Sequence, residues 1–311
     1  LILSAQLNGL LLVDKPQDFT SHDVVAQLRK ILGMRAIGHT GTLDPLATGL
    51  MVVVLGEATK LSDYLTAADK SYSLKIKLGT TTDSLDRTGK ILSEKDGRVE
   101  SPRLREAVAA LEGEFGWQVP LFSAAKVDGK KLYEHGRAGT GEEVIRPTKK
   151  MKFWDVKILE LGEDRLEVSL HCSKGSFVRT WASQLGESLG TGAVVEELRR
   201  LSVGAWEIGS ASTLEQLANK QGEWPSFVPM GQALPGIRPV VASPREIKLV
   251  VNGQIPRDLG TRLMFEQKQA IQTQLPVYIK VLTGAGDLLA ILAAEPGQGL
   301  KIRRVFRGLS V

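Results

Sequence analysis

The sequence predicts a mixed α+β core followed by a small all-β domain. Three observations carry this reading. Stretches with helical apolar spacing interleave with stretches of period-two alternation over roughly residues 1–235. After "PGIRPVVASPRE" the pattern shifts to short strand-like pieces. The composition, 42% hydrophobic and 24% charged over 311 residues, supplies enough apolar material for a large core or for two domains.

The elements follow in order. "TSHDVVAQLRKILG" (20–33) reads as an amphipathic helix, with Thr20 or Ser21 as N-cap, Asp23 in the first turn, Val24, Val25, Leu28, Ile31 and Leu32 on one face, and Gly33 as the stop. "LMVVVLG" reads as a strand buried on both faces. "SYSLKIKLG" alternates Tyr72, Leu74, Ile76 and Leu78 against Ser73, Lys75 and Lys77, the pattern of a half-buried strand. The turn-rich "TTTDSLDRTGK" leads to a helix beginning "SPRLREAVAALEG", with Ser101 as cap and Pro102 at the first helical position. "KFWDVKILELG" and "RLEVSLHCSKG" form a strand pair. "SFVRTWASQLGESLG" and "AVVEELRRL" both read as helical. Beyond them "IKLVVNGQIP", "PVYIKVLTG", "DLLAILAAEPG" and "GLKIRRVFRG" read as strands of the all-β unit. The boundary falls near 236–242, drawn here as domains 1–238 and 239–311.

Composition and absent motifs narrow the chemistry. The longest apolar run, "LMVVVL", is far too short to cross a bilayer, and "LILSAQLNGLLLVDKP" lacks the basic start of a signal peptide. No membrane association is expected. The single cysteine, Cys172, sits in an apolar strand pattern and reads as a buried structural thiol, in keeping with a cytoplasmic protein. The net charge of +5 permits an anionic partner without demanding one. "QGLKIRRVFRGLSV" concentrates Lys301, Arg303, Arg304 and Arg307, and fits either a solvated edge or a nucleic-acid contact. There is no GxxxxGK[ST] loop, no GxGxxG after a strand and no Cys/His set with metal spacing, so no cofactor and no metal are expected.

Three residues stand out on local grounds. Asp44 precedes Pro45 and lies between Gly41 and Gly49 in "GHTGTLDPLATG", which places it in an extended loop. Taken alone, it reads first as an Asp-Pro turn. Tyr72 lies on the apolar face of its strand, either as a core residue or at a cleft edge. Arg179 falls in the first turn of its helix, where the macrodipole disfavours a cation, and it gains if a carboxylate such as Asp44 lies close.

Five ordered segments go further: "LLLVDKPQDFTSHDVV" (10–25), "GHTGTLDPLATGLMVVVLGEATK" (38–60), "KSYSLKIKLGTTTDSLDRTG" (70–89), "QVPLFSAAKVDGKKLYEHGRAG" (118–139) and "CSKGSFVRTWASQLGESLG" (172–190). Together they resemble the motif set of the TruB family, tRNA pseudouridine synthases that modify the T-loop uridine at position 55. The resemblance implies a catalytic core with a mixed, largely antiparallel sheet and flanking helices, and a C-terminal PUA-like RNA-binding domain. It implies that Asp44 is the catalytic aspartate, Arg179 the arginine paired with it, and Tyr72 the aromatic stacked on the target base. His39 corresponds to the histidine that packs into the T-loop, while Lys15, Pro16 and Leu198 correspond to residues that shape the pocket. Lys126, in "SAAK", and Phe177 are the further RNA-binding candidates. Phe177 and Phe122 stand where family members commonly have Tyr, and "GRAGTGEEV" departs from the usual continuation.

The resemblance implies tRNA, through its T-arm, as partner, with no obligate protein partner. The isomerisation adds no atoms and involves no redox change, in keeping with the absent cofactor motifs. Three rival readings stand beside it: a non-catalytic RNA-binding or tRNA-folding protein of the same fold, a guide-RNA-dependent relative acting on ribosomal RNA, and a carbohydrate enzyme pairing Asp44 with Asp83 or Asp86.

Overall fold

A computed structural model describes residues 7–141, 144–219 and 224–307. The expectations for residues 1–6 and for the last four residues of the basic C-terminal stretch lie outside it, as do two residues of "GRAGTGEEV". The core is built on an 11-stranded mixed sheet. Its main path runs Ser212–Thr213, Gly9–Lys15, Thr48–Leu55, Ala193–Val203, Lys70–Leu78, Arg165–Cys172, Thr148–Leu161 and Gly113–Gln118. Most neighbours are antiparallel, as in Gly9–Lys15 against Thr48–Leu55 and Lys70–Leu78 against Arg165–Cys172. In the middle, Thr48–Leu55 and Ala193–Val203 run parallel, with Arg199 opposite Thr48 and Arg200 opposite Gly49.

The flanking helices form where the sequence places capping and apolar stripes. Thr20 caps Ser21–Leu32 through a reciprocal box with Asp23, and Gly33 closes it in the left-handed conformation at φ +62°. Its Val24, Val25, Leu28 and Leu32 pack on Leu11, Val13, Met51 and Val53 of the sheet. Helix Val178–Leu189 buries Trp181, Ala182, Leu185 and Leu189 against Leu74, Ile76 and Val195, and helix Ser101–Ala109 adds Leu104 and Val108 to the same cluster. That second helix starts one residue earlier than expected. Glu100 occupies the N-cap without a side-chain bond, Ser101 is already helical, and Ser101 is therefore not the cap.

Two further expectations are corrected. "AVVEELRRL" lies not in a helix but in strand Ala193–Val203, paired on both sides. Bulges at Val195/Glu197 and Arg200/Ser202 interrupt the alternation, so buried Val195, Leu198, Arg200 and Val203 recur at steps of three, two and three and imitate a helical stripe. The C-terminal unit is β-rich rather than all-β. Strands Arg238–Val241, Val277–Leu282, Leu288–Glu295 and Gly299–Val305 make a four-stranded sheet, but helices Pro244–Val250, Arg257–Arg262 and Met264–Thr273 stand between the first two strands. "IKLV" belongs to the first of these helices. Ser243 caps it in a reciprocal box with Glu246, with Pro244 in its first turn, and this signal outweighs the β-branched composition that suggested a strand.

The C-terminal sheet is packed onto the core. Leu288, Ile291 and Phe306 share a buried cluster with Leu10, Leu12, Val52, Val54 and Leu234. The Lys280 amine donates to the carbonyls of Gly231 and Leu234 at 2.9 and 3.1 Å. Of the basic C-terminal residues, Lys301 and Arg303 both pair with Glu295. Among the described residues, no helix is long and apolar enough to cross a membrane.

Candidate active site

The site forms at the leading end of Thr48–Leu55, where the loop carrying Asp44 emerges beside the parallel junction. Two buried cations shape this loop. The Lys15 amine donates to Pro16 O at 2.9 Å and Pro45 O at 3.3 Å, and Asp18 N donates to Pro45 O at 2.9 Å. These bonds clamp the "DKPQD" turn to the Asp-Pro turn. Ser21 Oγ, at the start of its helix, both accepts from Leu43 N and donates to Leu43 O. From the other side, Arg200 donates to Leu50 O at 2.6 Å, Gly41 O at 3.2 Å and Thr42 O at 3.5 Å. The loop is thus held at both ends.

Asp44 projects from this clamp, with its side chain 37% exposed. Arg179 Nε lies 3.0 Å from Asp44 Oδ2, although 135 residues of sequence separate the two positions (179 − 44 = 135). The same buried guanidinium reaches Asp86 Oδ2 at 3.4 Å, the Ser84 carbonyl, and the Phe122 carbonyl at 2.7 Å. A fork filled on every side fixes the one carboxylate that faces the open cavity. Asp86 is itself held by Ser84 Oγ, Thr88 N and Thr88 Oγ1. Asp44 and Asp86 therefore flank one guanidinium, and Asp83 accepts from Lys90 N in the hairpin turn. This is not the arrangement of two carboxylates facing each other across a sugar.

The cavity in front of Asp44 has a volume of about 140 Å³ and is walled by Leu43, Tyr72, Phe177, Arg179 and Leu198, with Ser123 at its edge. Tyr72, 9% exposed, has its phenol pushed up by burial and drawn back by the Arg200 guanidinium. Lys15 is fully buried, and burial lowers its amine to about 8 against the upward pull of Asp44 and Asp18. His39, on the short strand Ile37–His39, is half-buried and meets His22 edge to face at 5.7 Å. Burial, then His22 and Arg200, lowers its pKa, which favours a neutral imidazole.

The structure thus brings Asp44, Tyr72, Arg179, Phe177 and Leu198 to one cavity. Lys15 and Pro16 lie behind and beside its loop, with Lys15 buried and engaged with carbonyls while Pro16 is exposed. Lys126 stands apart, exposed on the hairpin formed by Lys126–Val127 and Lys130–Lys131. Arg200 was missed by sequence reasoning. Its signal was a charged residue in a stripe otherwise apolar at 195, 198 and 203. A larger cavity of about 810 Å³ lies elsewhere, where Tyr64 and Trp206 of the core face Tyr278, Arg303 and Arg304 of the C-terminal sheet.

Comparisons with known proteins agree with this arrangement. A family profile described as "TruB family pseudouridylate synthase (N terminal domain)" matches residues 29–178, and one described as "tRNA pseudouridylate synthase B C-terminal domain" matches residues 179–234. The tRNA pseudouridine synthase B of Bdellovibrio bacteriovorus is 46% identical over 308 residues, covering 97% of this chain and 98% of that protein. The corresponding protein of Solibacter usitatus is 36% identical over 92% of this chain and 95% of its own length. Among solved structures, a Cbf5-Nop10-Gar1 complex contains a chain that superposes with a TM-score of 0.71 at 22% identity, covering 97% of this chain and 86% of that one. An H/ACA RNP bound to a substrate RNA containing 2'-deoxyuridine gives 0.69 at 20% identity, covering 96% and 85%. These last two speak for the fold. On profile and full-length identity together, with four of the five motifs lining one cavity, the chain belongs to the TruB family of pseudouridylate synthases.

Proposed function

We propose that this chain isomerises uridine to pseudouridine in the T-loop of tRNA, at position 55, with Asp44 as its catalytic carboxylate. The observation that supports this most directly is the Asp44 carboxylate, held 3.0 Å from Arg179 and facing a cavity walled by Tyr72 and Leu198. The reaction breaks the N1–C1′ bond, turns the uracil and joins C5 to C1′. The C5 proton leaves and N1 gains one, so atoms balance with no cofactor. A carboxylate so placed serves as nucleophile at C1′ or C6, or as base toward the C2′ hydrogen.

The target base is inside a folded loop and must be flipped into the cavity, at a cost of a few kcal/mol. Tyr72 stacks on the detached ring, and Leu198 and Phe177 keep water from the intermediate. His39 and the exposed Pro16 and Lys126 contact the RNA, while Lys15 acts from behind by holding the loop. Arg179 orients Asp44. We divide the chain into a catalytic domain, 1–238, and a PUA-like RNA-binding domain, 239–311, which adds salt-dependent affinity through phosphate contacts. The working compartment is the cytoplasm, and no obligate protein partner is needed.

The test is tritium release from C5-labelled uridine in an unmodified tRNA transcript. Wild type should release tritium, Asp44→Asn should release almost none while still binding the tRNA, and a transcript with cytidine at the target should be inert. Tight binding without release by the wild type would favour the tRNA-folding reading instead.

A further inference from the structure

Arg200 is a buried charged residue beside the site to which the reaction, as described, gives no role. It is 1% exposed, and among the described residues it makes no ion pair. A guanidinium cannot shed its proton, so burying it without a carboxylate is costly unless carbonyls take its place. Here three do: Leu50 O, Gly41 O and Thr42 O. Two of them belong to the loop that carries Asp44, and the third to the strand into which that loop runs.

The register gives this arrangement its meaning. Arg200 lies opposite Gly49 on one side and opposite Tyr72 on the other. Its backbone is so close to Gly49, which has φ +101°, that a Cβ there would sit 2.3 Å from Arg200 O. Burial raises the pKa of the Tyr72 phenol, and the Arg200 guanidinium draws it back. One residue on the central strand therefore touches the strand bearing Tyr72 and the loop bearing Asp44, two residues after Leu198 has lined the cavity.

We propose that Arg200 is a positioning residue for the isomerisation, fixing the Asp44 loop and the Tyr72 strand relative to each other through its carbonyl contacts and its place between the two strands. The proposal rests on the assignment of Asp44 and Tyr72 to the reaction. Arg200→Lys keeps the charge but offers one nitrogen where the guanidinium uses three, so the sheet keeps its cation and the loop loses its anchor.

Arg200→Lys and Arg200→Gln are compared with wild type for single-turnover tritium release, tRNA Kd, melting temperature and backbone hydrogen exchange. The expected result is a single-turnover rate lower by roughly 30- to 100-fold, with Kd within about threefold of wild type. Faster exchange should be confined to residues 41–50 and the strand around Tyr72. A wild-type rate in Arg200→Lys overturns the proposal. So does exchange that rises across the whole sheet, or global unfolding of both variants, since each makes Arg200 merely structural. Asp44→Asn is run in parallel: if it keeps full turnover, the catalytic assignment fails, an outcome distinct from failure at Arg200.

Discussion

At the scale of single residues, the site depends on where charges are placed when water is removed. Lys15 is buried, and its amine is lowered to about 8. The unfolded chain therefore holds that proton more tightly than the fold does, and the fold gains stability as pH rises from about 8 towards 10.5. In thermal melts, wild type should gain on Lys15→Met across that interval, whereas a constant gap between the two would show that the amine does not titrate in the fold. Tyr72→Phe keeps the ring and loses the hydroxyl. We expect a tRNA Kd near wild type and a single-turnover rate about ten- to a hundredfold lower, as for a lost proton-transfer partner. An unchanged rate would leave Tyr72 a stacking role only. That Asp44, Tyr72 and Arg179 would share one cavity was legible because each lies in a distinctive motif. Asp44 beside Arg179 was also anticipated on electrostatic grounds, from a cation in a helix's first turn. Asp86 and Arg200 were harder to read, since their contacts are to backbone carbonyls and to a shared guanidinium, which residue type does not encode.

At the scale of elements, the sequence was readable wherever a period ran uninterrupted. Ser21–Leu32, Lys70–Leu78 and Val178–Leu189 match their expected stripes closely. Ala193–Val203 does not, because two bulges break its alternation and bury Val195 and Val203, each three residues from its neighbour, on the same side as Leu198 and Arg200. Pro244–Val250 was obscured differently: a capping box was present, but the apolar β-branched residues were weighed more heavily. The parallel contact between Thr48–Leu55 and Ala193–Val203 had no local signal at all, being set by residues some 150 positions apart, as the Arg200 to Leu50 bond shows. Gly49 is the tightest point of that contact. Gly49→Ala places a methyl group against the Arg200 backbone in a strained conformation and should cost about 2 kcal/mol or more. Denaturant melts check this, and a loss below about 0.5 kcal/mol would mean that the two strands part easily.

At the scale of the whole molecule, the C-terminal sheet serves the core as well as any RNA it meets. Because Leu288, Ile291 and Phe306 complete a cluster with Leu10, Val52 and Leu234, removing residues 242–311 should uncover apolar surface. The truncated chain should melt about 5 °C lower or more. It should also bind tRNA more weakly at physiological salt, while its single-turnover rate at saturating enzyme and low temperature changes less. A truncation that loses rate but not affinity would contradict the proposed division of labour. The order of strands also bears on how the molecule is made. Ala193–Val203 fills the slot between Thr48–Leu55 and Lys70–Leu78, so a chain emerging from the ribosome holds that slot open until about two thirds of it has been synthesised. Until then the edge of Lys70–Leu78 that it covers lies bare, and the cavity before Asp44 lacks Leu198 from its wall. Activity therefore cannot precede insertion of this strand, and the nascent chain passes through a stretch of synthesis in which it is inert and carries an open sheet edge.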